Sequence, residues 1–198
     1  MTKLRPLPRR FYRRDSRELA PLLLNKLLVH SDRVARLVEV EAYAGDEDPG
    51  SHAFRGRTPR NATMFGPPGH MYVYRSYGVH WCANVVCGED GWASAVLLRG
   101  ATPVEGVDEM YASRPGITRE CDLCAGPGRL CQALGLDGTF DGTDVVTGSD
   151  DVVLCDDGTP PPTDPARTVR VGLTPGKGDE SLWRFCVRGA VGLSRPAR

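Results

Sequence analysis

A carboxylate and an aromatic ring share one face of a predicted strand in the first quarter of the sequence. Residues 38–43 read VEVEAY, and side chains two positions apart in a strand project from the same face, which places Glu41 beside Tyr43. A carboxylate next to aromatic surface loses hydration, so its pKa rises and it becomes a better general base near neutral pH. The pattern alone also fits a half-buried strand whose wet face carries Glu39 and Glu41.

The predicted hairpin that follows contains three tyrosines. Tyr72 and Tyr74 share a face of one strand, and Tyr77 falls at or near the tip beside Gly78, which supplies the positive φ that a tight hairpin needs. A ring at a tip has nothing beyond it to pack against, so Tyr77 is a candidate for contact with a partner. Aromatic rings stack on nucleic-acid bases and can wedge a base step open from the minor groove. The alternative is that tyrosine is simply common in β-sheets.

Polar residues around these aromatics are further candidates for a site. His52, Arg57 and Arg60 lie among Gly and Pro in the loop before the hairpin, a composition that suits phosphate contact or a lid over a ligand, although a solvated loop is the alternative. Arg99 ends the next strand, where it could hold a water, a phosphate or the partner carboxylate. Asn84 interrupts an apolar strand, and a buried amide usually satisfies a backbone group and sometimes belongs to a site.

The elements that must hold these side chains follow from hydrophobic periodicity and capping signals. In chain order the predicted elements are a helix over 16–26, strands over Leu27–His30, Val34–Ala44, His70–Arg75, Val79–Val86 and Trp92–Arg99, helices over about 103–113 and Pro127–Leu134, and strands over Asp151–Cys155, Thr168–Leu173 and Trp183–Val187. Residues 45–70 form a long loop, and residues 1–14 are predicted to be an extended basic arm. The sum is an α+β fold, a single mixed domain over residues 1–198 around an antiparallel sheet.

Length and charge bound the class of protein. A chain of 198 residues with 40% hydrophobic and 25% charged residues is ordinary for one globular domain. The formal net charge of zero does not indicate a nucleic-acid partner. The charge is segregated, however, because residues 3–17 are rich in Arg, whereas the segment between Arg129 and Arg167 has many Asp and no Lys or Arg. A basic side could bind phosphates, and segregation without a partner is the alternative.

Targeting and cofactor signals are absent from the sequence. Met1–Arg14 lacks the apolar core of a signal peptide, and no apolar run approaches the roughly 20 residues that span a membrane. We therefore expect no membrane association and a cytoplasmic location, near the nucleoid in a bacterium. An odd number of cysteines, seven, argues against a disulfide framework. The pair Cys121-x-x-Cys124 with Cys131 lacks the second pair of a zinc site, and no phosphate or dinucleotide loop is present, so we expect neither metal nor cofactor.

Taken together, the motifs resemble those of the alkyladenine DNA glycosylases, also called 3-methyladenine or methylpurine DNA glycosylases. The matching segments are Val38-Glu39-Val40-Glu41-Ala42-Tyr43, His52, Thr58-Pro59-Arg60-Asn61 with Met64-Phe65, Tyr72-Val73-Tyr74-Arg75-Ser76-Tyr77-Gly78, Asn84 and Leu97-Leu98-Arg99. Weaker matches are Gly126-Pro127-Gly128-Arg129-Leu130, Ala133-Leu134-Gly135, Arg170-Val171-Gly172, Trp183-Arg184-Phe185 and Arg188-Gly189. The resemblance spans nearly the whole chain in order, with only the acidic loop unmatched.

The resemblance implies a fold and an activity. The fold would be one mixed α/β domain on a curved antiparallel sheet, with a protruding hairpin and peripheral helices. The enzyme would flip a damaged purine out of duplex DNA and hydrolyse its N-glycosidic bond during base-excision repair. By the match, Glu41 would activate the water, and Arg99 and the backbone carbonyl of Val171 would help to hold it.

The resemblance also assigns the contacts with DNA. The flipped base would lie between three side chains, Tyr43, His52 and Tyr74, and Asn84 would exclude the amino group of normal guanine. Tyr77 would fill the gap left in the helix. Backbone contacts would come from Arg57, Arg60 and Tyr72. The expected partner is double-stranded DNA with damaged purines, bound by a monomer. The family is monofunctional, and a carboxylate rather than a Lys at the base position fits hydrolysis without lyase chemistry.

Two other functions fit parts of the sequence. A noncatalytic nucleic-acid-binding module could keep the hairpin and the basic arm without turnover. A glycoside or nucleoside hydrolase could use Glu39 and Glu41, but neighbours on one strand project in parallel and cannot flank a substrate from two sides. The joint presence of Glu41 and Arg99 separates the enzyme from the module.

Overall fold

The fold is built on one curled antiparallel sheet with helices packed around it, as the α+β prediction requires. The computed structural model describes residues 4–197. The strands are β1 Arg5–Pro6, β2 Leu27–His30, β3 Arg33–Ala44, β4 Met71–Ser76, β5 His80–Cys87, β6 Ser94–Glu105, β7 Val152–Asp156, β8 Ala166–Thr168 and β9 Arg184–Cys186. Their order is β1-β7-β2-β3-β6-β5-β4, and β9 pairs with both β3 and β8.

Within the described residues, four α-helices flank the sheet: α1 Arg9–Tyr12, α2 Ser16–Leu23, α3 Val107–Ser113 and α4 Pro127–Leu134. The side chain of Asp15 caps α2 by accepting a hydrogen bond from the Arg17 amide at 2.8 Å. Helix α4 has the predicted bounds, and Gly135 ends it at a φ of 69°, a left-handed conformation that favours glycine. Helix α2 packs on β3 and β6, and α4 packs on β5 and β6.

Strands β3 and β6 form the centre of the structure, and both faces of β3 are buried. Val40 and Ala42 join the hydrophobic core on one face, as predicted. The opposite face is not wet, because Glu39 and Glu41 are each 0% exposed. The interpretation of this strand as half-solvated is therefore wrong, and the two carboxylates need partners inside the protein.

The N-terminal segment is not an extended arm. Arg5–Pro6 pairs with β7, and Leu7 and Tyr12 are buried in the core. The amphipathic spacing of this segment lets its apolar side chains pack while Arg9 bonds the Asp144 carboxylate at 2.5 Å. Burial of apolar surface outweighs the local preference of the prolines for extended chain. Residues 1–3 of the predicted arm lie outside the described part of the chain.

In three further places the structure differs from the prediction by about three residues or more. Helix α2 ends at Leu23 rather than at 26, because the backbone at Leu24 turns extended. Strand β6 runs through residues 102 and 103, which pair with β3, so the helix predicted from 103 begins only at Val107, after Gly106 with its φ of 68°. Pairing across the sheet overrides the local capping signal there. The strand predicted over Thr168–Leu173 is reduced to Ala166–Thr168.

The buried ring of Tyr12 tests the position of the N-terminal segment. We expect Tyr12→Ala to lower the free energy of unfolding by about 3–5 kcal/mol, because it removes a large core side chain. Tyr12→Phe is the matched control. It should cost little, since the Tyr12 hydroxyl has no hydrogen-bond partner among the described residues. Urea denaturation measures both, and an unchanged midpoint for the alanine variant would mean that the segment is a free arm.

Candidate active site

One cleft of about 1260 Å³ gathers most of the residues singled out from the sequence. Strands β3 to β6, the loop after β3 and the segment after β8 contribute to its wall. The predicted residues that line it are Tyr43, His52, Arg60, Tyr72, Tyr74, Tyr77, Asn84, Arg99 and Val171. Arg57 is exposed outside this lining, and Glu41 is buried beneath it. Folding therefore brings together residues that are up to 128 positions apart, from Tyr43 to Val171.

The Glu41 carboxylate is held by three donors. Its Oε1 accepts a hydrogen bond from the Val171 amide at 2.7 Å, and its Oε2 accepts one from the Tyr43 hydroxyl at 3.0 Å and one from Arg99 Nη1 at 3.4 Å. Burial raises the pKa of Glu41 and outweighs the opposing effects of Arg99 and the two other donors. The structure thus places the Val171 amide, rather than its carbonyl, against the carboxylate; the predicted contact of that carbonyl with a water stays a prediction.

A second buried carboxylate lies on the same strand, at Glu39. Its Oε1 accepts hydrogen bonds from Arg99 Nε at 3.1 Å and from Arg184 Nε at 2.6 Å. Ser194 donates twice, from its hydroxyl to Oε1 at 2.7 Å and from its amide to Oε2 at 2.5 Å. Burial opposes ionisation, but the Arg99 charge together with the Ser194 and Arg184 hydrogen bonds lowers the pKa of Glu39. Arg99 therefore bonds two carboxylates, one with a lowered pKa at Glu39 and one with a raised pKa at Glu41.

The aromatic rings form one connected wall. The His52 and Tyr74 rings meet edge to face at 4.5 Å, and Tyr72 stacks on Tyr74 at 5.4 Å. The Tyr72 hydroxyl bonds His52 Nδ1 at 3.0 Å. Tyr72 is only 1% exposed, so it has no surface to offer a phosphate, and the predicted contact with the DNA backbone does not fit its position. It holds His52 and Tyr74 in place from behind.

Two further predicted site residues differ in exposure: Asn84 is buried, whereas Tyr77 is exposed to solvent. Asn84 is buried at the cleft and donates its side-chain amide to the Tyr72 carbonyl at 2.9 Å. Tyr77 is 90% exposed at the hairpin tip, where Tyr77 and Gly78 have φ values of 49° and 69°. Two consecutive positive φ values make a tight turn of the type that matches strand twist. A non-glycine residue rarely adopts a positive φ, and the Tyr77 ring extends from this turn into solvent.

The sequence did not reveal a second buried ion pair, Asp48 with Arg170. The Arg170 guanidinium bonds both carboxylate oxygens of Asp48 at 2.5 and 2.7 Å, and both side chains are fully buried. It lies 4.7 Å from the Tyr43 ring centre and 4.9 Å from that of Trp183, so it covers one face of Tyr43. No local pattern predicts such a pair, because 122 positions separate its members.

Residues 4–197 contain neither a metal-binding cluster of side chains nor a helix that could span a membrane. In this part of the chain no cluster of three or more His, Cys, Asp or Glu side chains could hold a metal ion. All seven cysteines, Cys121, Cys124 and Cys131 among them, are free thiols. Across the same residues, none of the helices combines the length and the apolar character that crossing a bilayer requires.

The sequence matches the profile of one protein family, described as "Methylpurine-DNA glycosylase (MPG)", over residues 10–191. The chain belongs to this family. A relative from Burkholderia cenocepacia (strain HI2424) is 52% identical over 184 residues, which cover 92% of this chain and 88% of the relative. One from Frankia casuarinae is 46% identical over 196 residues, with coverage of 94% and 91%. One from Streptomyces avermitilis is 44% identical over 187 residues, with coverage of 92% and 87%.

Each of the three relatives is provisionally named a 3-methyladenine DNA glycosylase. Membership of the methylpurine-DNA glycosylase family makes this chain a DNA glycosylase, an enzyme that acts on DNA. It confirms the resemblance that the motifs around Glu41, Tyr77 and Arg99 carried.

The Asp48–Arg170 pair gives a stability prediction. Asp48→Asn leaves the Arg170 charge buried without its partner, so we expect a loss of about 3–5 kcal/mol in the free energy of unfolding. The same substitution in an exposed pair is the control: Asp164 and Arg188 are bonded at 3.0 Å with side chains 81% and 60% exposed, and Asp164→Asn should change stability very little. Equal effects of the two substitutions in guanidinium denaturation would contradict the assignment of a buried pair.

Proposed function

We propose that this glycosylase flips alkylated or deaminated purines out of duplex DNA and hydrolyses the N-glycosidic bond with a water that Glu41 activates. The observation that carries the proposal is a fully buried carboxylate of raised pKa, which lies beneath the lining of a tyrosine-rich cleft and is bonded to three of its lining residues, Tyr43, Arg99 and Val171. Perturbed carboxylates in clefts are candidates for acid–base work.

The contacts of Glu41 leave one acceptor site for a water. An ionised carboxylate has about four lone-pair sites, and three donors occupy Glu41 in the structure. The remaining site can accept a proton from a water that attacks the sugar carbon. The carboxylate also lies in a low-dielectric setting, where its charge stabilises a cationic, oxocarbenium-like transition state more strongly than it would in water. The raised pKa makes it a stronger base for the same proton.

The rings around the cleft suit a flat base. Arg170 covers one face of Tyr43, which leaves the other face for stacking. Burial, and then the nearby Arg60 charge, lower the pKa of His52, so this imidazole is neutral near pH 7 and adds no repulsion to a purine made cationic by alkylation. The centre of the electron-rich Tyr74 ring already lies 5.8 Å from the Arg60 guanidinium, so this wall accepts a cation, and a cationic base that displaced Arg60 would be attracted in the same way. A damaged purine pairs poorly and is cheaper to flip than a normal one.

The exterior of the cleft suits duplex DNA. Tyr77 extends into solvent and can enter the gap that a flipped nucleotide leaves in the helix. Arg57 and Arg60 are exposed on the neighbouring loop and can contact phosphates. Val79 beside the tip is also exposed and apolar. We further propose that the enzyme works as a monomer.

The chemistry proposed is hydrolysis without strand cleavage. Lyase action needs an amine that is desolvated and close to the sugar carbon. Glu41 occupies the position of the base, whereas Lys177 lies on the exposed rim of the cleft. Duplexes with hypoxanthine or an alkylated purine should therefore lose the base and break only after treatment with alkali.

Glu41→Gln tests the role of the carboxylate. The substitution keeps the shape but removes the proton acceptor, so single-turnover base release should fall by roughly 10²–10⁴-fold, while binding to damaged duplex is retained. Base release is measured on a panel of damaged purines, and binding by fluorescence anisotropy. A glutamine variant with normal turnover would exclude this mechanism, and a native protein that binds but releases no damaged base would favour a binding module.

Tyr77→Ala tests the wedge. Loss of a ring that stacks in the gap should weaken binding to damaged duplex by about 1–3 kcal/mol, with no effect on folding because the side chain is exposed. Trp92→Ala is the matched control, since Trp92 is also an exposed aromatic but lies on a different turn. Equal affinities for the two variants, measured by the same anisotropy titration, would remove Tyr77 from the interface.

A further inference from the structure

Glu39 is a buried carboxylate that the mechanism proposed above does not use. We propose that Glu39 is a positioning residue: it shares Arg99 with Glu41 and takes the shorter of the two contacts, so that Glu41 keeps the proton affinity that a general base needs. This inference rests on the proposed role of Glu41 and extends it to a second carboxylate, to Arg184 and to Ser194.

The geometry of Arg99 is unequal towards the two carboxylates. Its Nε lies 3.1 Å from Glu39 Oε1, its Nη1 lies 3.4 Å from Glu41 Oε2, and its Nη2 donates to the Ser194 hydroxyl at 3.1 Å. An arginine free to choose one carboxylate forms two parallel hydrogen bonds of about 2.7–2.9 Å. Here the planar guanidinium is turned so that Glu41 receives a single long contact.

The charges of the cluster balance. Glu39 and Glu41 are 0% exposed, and Arg99 and Arg184 are buried as well. Two acids and two bases leave no net charge when all four groups are ionised. Without Glu39, two guanidinium charges would face one carboxylate, and Arg99 would have only Glu41 as an acidic partner. The carboxylate would then bind its proton less tightly.

The opposite pKa shifts of the two carboxyl groups agree with this division. Glu39 is held ionised by Arg99, Ser194 and Arg184 in spite of its burial, whereas burial dominates at Glu41. Pairs of carboxyl groups whose surroundings push their pKa values apart are typical of acid–base sites. Glu39 would stay charged throughout turnover, while Glu41 exchanges a proton with water.

The C-terminal segment holds Glu39 in place. The amide and the hydroxyl of Ser194 both donate to Glu39, and the Arg195 carbonyl accepts from Arg184 Nη2 at 2.6 Å. Strand β6 makes room for this approach at Gly100, where a Cβ atom would lie 2.5 Å from the Gly192 carbonyl oxygen and 3.1 Å from Glu39 Oε2. Ser194 and Arg195 therefore complete the charge cluster behind Glu41.

The pH dependence of Glu41 has a limited set of sources. The Val171 amide is the remaining polar contact and does not titrate. The charged or titratable groups that face Glu41 are Arg99 on β6, Glu39 and Tyr43 on β3, Tyr74 on β4, Cys82 on β5 and Cys186 on β9. Burial raises the pKa of each tyrosine and thiol in this set. The charges that tune Glu41 near neutral pH are therefore Glu39, Arg99 and Arg184, which pairs with Glu41 across strands β3 and β9 and bonds Glu39.

Two substitutions of opposite charge provide the test. Glu39→Gln removes a negative charge near Glu41 and should therefore lower the pKa of Glu41. In a profile of the single-turnover rate against pH, recorded from about pH 5 to 9, the acid limb should move to lower pH. The plateau should fall roughly tenfold, because a weaker base accepts a proton more slowly. Arg184→Gln removes a positive charge from the same cluster and should move the acid limb to higher pH. A purely structural role would lower the rate without these opposite shifts.

Matched variants complete the experiment. Glu39→Asp keeps the charge and should return the limb close to its native position. Ser194→Ala keeps all charges but removes the hydroxyl that links Glu39 to Arg99. Because Arg99 can then turn towards Glu41, the acid limb should shift slightly to lower pH. This variant provides the test if Glu39→Gln does not fold. Limbs that stay at the native pH in every folded variant, or that move in the same direction for Glu39→Gln and Arg184→Gln, would overturn the inference. With Glu41→Gln still inactive, that result would leave the proposed function intact.

Discussion

The cost of burying charge governs the centre of this structure. An ionised group taken out of water without a partner is strongly unfavourable, and removing one member of a buried pair leaves that cost uncompensated. Strand β3 carries two carboxylates into the interior, at Glu39 and Glu41. Several segments supply donors to them: β6 through Arg99, β9 through Arg184, the chain after β8 through the Val171 amide, and the segment after β9 through Ser194.

This requirement ties two later segments of the chain, around Val171 and Ser194, to strand β3. The segment after β8 and the C-terminal residues have little regular secondary structure, yet they are fixed by bonds to the β3 carboxylates at Val171 and Ser194. The Asp48–Arg170 pair adds a second fully buried link to the loop after β3. Irregular segments thus have a defined position because polar groups in the interior need their donors.

The same arrangement connects stability to chemistry. Glu41 and Glu39 are both buried, but Glu41 accepts fewer and longer hydrogen bonds than Glu39 does. Its pKa is therefore raised, whereas the pKa of Glu39 is lowered. Tyr43 contributes at both levels, because its hydroxyl bonds Glu41 while its ring packs on Arg170. The family to which the chain belongs acts on DNA, and the exposed ring at Tyr77 lies on the rim of the same cleft.

The sequence by itself determined the elements with strong local signals. The alternation in residues 38–43 and the hairpin around Gly78 follow from short-range geometry, and the glycine that ends α4 marks its boundary, so strands and helix were predictable within a residue or two. The ordered motifs also identified the family. Local signals failed where pairing or burial was worth more: the segment 4–14 packs into the core, and β6 continues through a capping signal at residue 102.

Only the tertiary structure decided which polar residues meet. The partners of Glu39 and Glu41 are separated from them by up to 155 positions, and no periodicity encodes such a contact. The burial of both faces of β3 likewise depends on what packs against each face. The sequence therefore predicted a carboxylate and a ring side by side, whereas the division of Arg99 between two carboxylates came from folding, because desolvation and charge pairing depend on distance in space rather than along the chain.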